Sequence, residues 1–162
     1  MSAELLIANL LRIAQEDLDG AVLLASRGNR NAVYLCEQSA EKVIRAVLTS
    51  EGKHAGIKHH LDAMVDLVPN ENPLKPFLRE IEELAAYATT YRYPTASGRV
   101  IQPPTSAEFD ALAAKVKDAL TRATDHEAVK AIPQTIPRNL FKGGTDERQH
   151  QEWIAACKGG PP

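Results

Sequence analysis

Glu37-Gln38-Ser39-Ala40-Glu41-Lys42-Val43-Ile44-Arg45-Ala46-Val47-Leu48 decides the fold. Around this stretch Val33, Cys36, Ala40, Val43, Ile44, Val47 and Leu48 recur at three- and four-residue steps, the period of an α-helix buried along one stripe. Glu37, Glu41, Lys42 and Arg45 fall to the side of that stripe. The spacing predicts a helix from about Asn31 to Glu51, ended by Gly52.

The same period recurs on both sides. Ile7, Leu10, Leu11, Ala14, Leu18, Ala21, Val22 and Ala25 predict a first helix from about Ala3 to Arg27, stopped by Gly28-Asn29. A short third helix is predicted over about Lys58 to Val68, packing Leu61, Met64, Val65 and Val68. A fourth is expected with Asn72 as cap, Pro73 at its first position, a stripe of Phe77, Leu78, Ile81, Leu84, Ala85 and Ala88, and an end before Pro94. Thr105-Ser106-Ala107-Glu108 has capping-box spacing and opens a fifth, with Phe109, Leu112, Ala113, Val116, Ala119, Leu120 and Ala123 as its apolar face. No strand-like alternation of useful length appears. The expected fold is all-α, an antiparallel up-down bundle of four or five helices with the third added laterally.

Composition agrees. Apolar residues make up 44% of the 162 but aromatics only 5%, so the core must come from Leu, Ile, Val and Ala. A net charge of −2 excludes a generally basic nucleic-acid binder, so an anion site must be a local cluster. Cys36 lies in an apolar pattern and Cys157 far away, with neither disulfide nor zinc spacing. The start, Met1 to Ile7, has no basic region, and no run approaches the roughly 20 apolar residues of a membrane span. No membrane association and a cytoplasmic location are expected. From about His126, Pro133, Pro137, Gly143-Gly144 and Gly159-Gly160-Pro161-Pro162 interrupt the pattern. The expected organisation is a bundle over 1–125 and an irregular, partly packed extension over 126–162.

Three segments carry a family resemblance: Glu16-Asp17-Leu18-Asp19-Gly20-Ala21, the Glu37 to Leu48 stretch, and Tyr91-Arg92-Tyr93-Pro94, with His60-Leu61 as a fourth, weaker point. In this order and over about Glu4 to Leu120, the chain resembles the HEPN family (higher eukaryotes and prokaryotes nucleotide-binding domain). That resemblance implies a helical bundle, usually dimeric, found in bacterial proteins that bind nucleotides or RNA. Many relatives are RNA-cleaving toxins encoded beside a small nucleotidyltransferase antitoxin. The nuclease members use an Arg and a His with four to six residues between them, without metal.

That nuclease pair is missing here. No Arg has a His at the required distance; Arg122 and His126, with three residues between them, come nearest. Metal-free cleavage needs a proton acceptor for the 2′-hydroxyl and a cation for the phosphorane charge. Arg92 or Arg99 would supply only the cation.

The candidate binding residues each carry two readings. Asp17 either pairs with Lys42 or Arg45 across the first two helices or lines a pocket between them. Gln38, Glu41 and Lys42 share one side of the second helix and form either a solvated face or a groove for a base and its phosphate. His59 and His60 diverge on a helix and do not chelate one ion, so no metal or other cofactor is expected. His60 starts a helix by bonding nearby backbone, or contacts a phosphate or base. Arg92 between Tyr91 and Tyr93 either binds phosphate beside stacking rings or covers its own helix's last carbonyls. Arg99 sits in the Thr95–Pro104 loop, which is either a lid or a plain connection. The leading expectation is a non-catalytic module that binds a nucleotide or RNA phosphate. It is expected as a homodimer in a toxin–antitoxin-like pair with a nucleotidyltransferase. The alternatives are a divergent metal-free RNase toxin and a structural interaction protein.

Overall fold

A computed structural model describes residues 3–56, 60–91 and 93–126. Its elements run α1 (Ala3–Ala25), α2 (Asn31–Ser50), α3 (Leu61–Leu67), α4 (Lys75–Ile81), a 3-10 segment (Glu82–Ala86), α5 (Tyr87–Thr90) and α6 (Ser106–Asp125). Among the described residues no strand occurs, as the periodicity requires. Arg92 and the extension after His126 lie outside the described residues, as do the expectations placed on them.

Glycines end the first two helices for the same reason. Gly28 (φ 64°) and Gly52 (φ 65°) take the left-handed conformation that costs a residue without Cβ little. Asn29 N then donates to Leu24 O (3.0 Å) and Gly28 N to Ala25 O (2.9 Å), satisfying carbonyls the helix end would leave open. Lys53 N to Leu48 O (2.8 Å) and Gly52 N to Thr49 O (3.0 Å) repeat the motif.

The short 26–30 connection turns α2 back along α1. Ser39 Oγ donates to Ala14 O (2.7 Å), and the space beside Gly20 is filled by Leu35 Cδ1. Partners thus run down α2 as they run up α1, an antiparallel pair. Small residues at Ala14, Ala21, Ala40 and Gly20 let the two backbones approach closely. α6 packs on α1, α2 and α4, and α3 with the α4–α5 stretch covers another side of α2.

This makes α2 central and corrects one expectation. Its stripe is buried as predicted, but Glu37 (1% exposed) and Glu41 (7%) are buried too, because neighbours cover more than one face. Of the two readings for Glu41, the solvated face is thereby excluded, and Glu37, expected only to the side of the stripe, is buried with it.

The fourth predicted helix is also corrected. Leu74 occupies the cap position and Pro76, not Pro73, stands in the first turn. Asn72 instead accepts from Leu74 N (2.8 Å) and donates to Glu51 Oε1 (2.6 Å), tying the end of α2 to the start of α4. The rod then tightens into a 3-10 segment. Leu78, Ile81, Leu84 and Tyr87 recur every three residues; on an α-helix such a row drifts by about 60° per step. The tighter turn at Glu82–Ala86 brings Leu84 back toward the side of Ile81, and Leu78, Ile81 and Leu84 are fully buried.

α6 follows its sequence signals. Thr105 Oγ1 accepts from Glu108 N, Glu108 Oε2 accepts from Thr105 N (2.8 Å), and all seven predicted apolar residues are buried.

Candidate functional site

The α1–α2 antiparallel register sets Asp17 opposite Lys42. Lys42 Nζ lies 2.6 Å from Asp17 Oδ2, with side chains 22% and 20% exposed. Oδ2 is buried, and the Lys42 ammonium lies at contact distance from it. Lys42 Nζ also donates weakly to Gln38 O (3.3 Å). The Gln38 amide turns the other way and donates to Glu37 Oε2 (2.9 Å). Asp17, Lys42 and the Gln38 carbonyl therefore form one half-buried seam, in which the ion pair foreseen for Asp17 is made with Lys42.

Glu41 does not join them. It accepts from Arg45 Nε at 2.8 Å, and Arg45 reaches Gly56 O through Nη1 (3.2 Å). Lys42 and Asp17, and likewise Arg45 and Glu41, thus each have an opposite charge at contact distance. A compensated pair offers a donor and an acceptor together, which suits a base edge or ribose better than a bare phosphate.

The other candidates disperse. Tyr91 is half-buried and stacks on Tyr87, with centroids 5.6 Å apart and planes 25° off parallel. Burial, then Tyr87 and Glu108, raise the Tyr91 pKa, so its phenol stays protonated. Tyr93 is 62% exposed. Arg99 is exposed at the end of a closed turn: Thr95 N donates to Arg99 O (2.9 Å), Arg99 N to Thr95 Oγ1 (3.0 Å), and Gly98 N to Thr95 O (2.8 Å). The Thr95–Arg99 half of that loop is a hydrogen-bonded turn.

His60 occupies the cap position of α3 with extended backbone, and its side chain makes no capping bond. It lines a groove with Asp62, Arg79, Glu80, Glu82 and Glu83. Carboxylates outnumber cations there, which opposes phosphate binding.

Arg122, nearest to the nuclease spacing, is engaged structurally. Its Nε meets Asp118 Oδ2 at 2.8 Å and its guanidinium lies 3.8 Å from the Phe77 ring centroid. The Cys36 thiol is inert, its pKa pushed up to about 12 by burial and then by Glu37.

Sequence reasoning passed over a second concavity. A cleft of about 370 Å³ is lined by Tyr87, Tyr91, Gln102, Pro103, Pro104, Glu108 and others, Lys115 among them. The four-residue step from Tyr87 to Tyr91 was a usable signal, but nothing local announced that α6 would face it. Among the described residues no group of three or more His, Cys, Asp and Glu is arranged to hold a metal ion. No helix among them is long and apolar enough to cross a membrane.

These features define an all-helical module in which residues of two motif segments, Asp17 with Gln38 and Lys42, meet between its first two rods. The HEPN domain model matches residues 7–131, and the chain belongs to the HEPN family. Membership makes it a nucleotide- or RNA-related module of a class that often dimerises. No curated protein and no solved structure matches it significantly.

Proposed function

We propose that the chain binds a nucleotide, or a nucleotide unit of RNA, at the α1–α2 seam, without catalysing a reaction. It would act as a homodimer in a bacterial two-component, toxin–antitoxin-like system whose other member is a nucleotidyltransferase. The observation that supports this best is the Lys42–Asp17 pair at 2.6 Å, built from two of the motif segments and set half-buried between two helices. In this reading Asp17 and Lys42 address the base or ribose. Arg92, with Tyr93 and Arg99 near it in sequence, is assigned the phosphate.

Calorimetric titration with AMP, ATP and a short single-stranded RNA tests the proposal. Saturable heat is expected for at least one of them. Lys42→Ala and Arg92→Ala should each weaken that binding by about 1–3 kcal/mol, the worth of a charge-assisted hydrogen bond. Unchanged affinity in both variants refutes the site. Absence of heat with every probe leaves a scaffold. Co-purification with a nucleotidyltransferase encoded beside it tests the partnership, and light scattering tests the dimer.

A further inference from the structure

We propose that the cleft between α5 and the start of α6 binds a guanidinium group, through the tyrosine pair and the Glu108 carboxylate. This site is separate from the α1–α2 seam and does not depend on it.

Three observations carry the assignment. The first is charge. Glu108 Oε2 accepts from both Thr105 N and Thr105 Oγ1 (2.8 Å each), and these bonds hold its carboxyl below the usual range, so it is ionised at neutral pH. Its other oxygen takes no part in the capping box. Lys115, the only cation among the described residues that line the cleft, is paired with Glu83 and also feels Glu80, which together hold it protonated. With that ammonium spent on Glu83, Glu108 is left as a lining carboxylate that no described cation pairs with, so a cation is drawn in.

The second is aromatic surface. Tyr87 and Tyr91 both line the cleft, and the face of such a ring attracts a cation within about 6 Å of its centroid. The third is a pair of prolines in the lining. Pro103 and Pro104 carry no N–H, so they bring no donor to compete for the carboxylate, and their rings fix the backbone there.

Among cations a guanidinium fits these features better than an ammonium. It is planar and weakly hydrated, it stacks on a ring, and its fork of donors reaches a carboxylate oxygen at the same time. The group has two sources: a free guanidino compound such as agmatine, or an arginine side chain displayed by a peptide.

Calorimetry on the full chain with agmatine, an arginine-bearing tripeptide amide, 1,4-diaminobutane and AMP distinguishes them. Agmatine or the peptide is expected to bind more tightly than the diamine. A preference for agmatine assigns a free compound, and a preference for the peptide assigns a protein's arginine. Glu108→Gln removes the charge but keeps a residue suited to the capping box. It should weaken guanidinium binding about tenfold, the loss of one such contact, with the melting temperature checked alongside. Tyr91→Leu should weaken it similarly. Lys115→Met should tighten it, because a repelling cation leaves and Glu83 is released; the same change would weaken any phosphate ligand. Lys42→Ala should leave it unchanged, so this site and the seam fail separately. No binding of agmatine or peptide, or AMP binding that Lys115→Met weakens, overturns the assignment.

Discussion

The α1–α2 seam and the α5–α6 cleft hold similar kinds of charge and treat them differently. In the seam Lys42 meets Asp17 across the two helices, and beside it on α2 Arg45 meets Glu41. In the cleft the carboxylate of Glu108 is fixed by Thr105, while the ammonium of Lys115 is drawn to Glu83. The difference comes from the elements. Long regular helices offer complementary positions four residues apart and across an antiparallel register. A helix N-terminus calls for a carboxylate whatever lies in front of it, and a rod tightened into 3-10 geometry has placed two tyrosines there.

Breaking the support of the seam should have the largest effect. Ile44 and Leu48 are fully buried on α2, and Leu48→Ala should cost about 2–5 kcal/mol in urea unfolding, with seam and cleft lost together. Asp17→Ala comes next. It strands a half-buried ammonium, and about 1–3 kcal/mol is expected. Asp17→Leu with Lys42→Met should recover most of that loss, since the pair's attraction barely exceeds its desolvation. A double variant as unstable as the sum of the single ones would contradict compensation in the seam.

On the cleft side the effects should be smaller. Thr105→Ala removes the α6 cap and should cost about 1 kcal/mol. Because Glu108's folded pKa is lowered, its contribution should be complete above the ordinary carboxylate range and fade as pH falls through the lowered value. The stability difference between wild type and Glu108→Gln should therefore shrink in acid; a difference that grows there would reverse the sign. Smallest is Glu83→Gln, which breaks an exposed pair and should change stability by no more than about 0.5 kcal/mol.

The sequence made the regular parts legible. Period, cap and stop agree in α1, α2 and α6, and their predicted apolar stripes are mostly buried. It was less informative where two periods overlap. Leu78, Ile81, Leu84 and Ala85 satisfy an α-helical stripe as well as a three-residue row, and only packing against α2 and α3 selects the tighter winding. The site split the same way. Asp17 and Lys42 could be paired from sequence because antiparallel register follows from a short connection. The burial of Glu37 and Glu41 could not, since a charged residue beside an apolar stripe reads as solvated until other elements close over it. The Tyr87–Lys115 cleft joins residues from two distant segments, and no local pattern announces such a meeting.

The most direct test is a set of amide chemical-shift maps recorded while ATP is added to the labelled chain. Shifts concentrated at Asp17, Gln38 and Lys42, with Tyr87, Glu108 and Lys115 undisturbed, are what the two-site account predicts. Shifts centred on the tyrosine cleft, or none at the α1–α2 seam at saturating ATP, would contradict it.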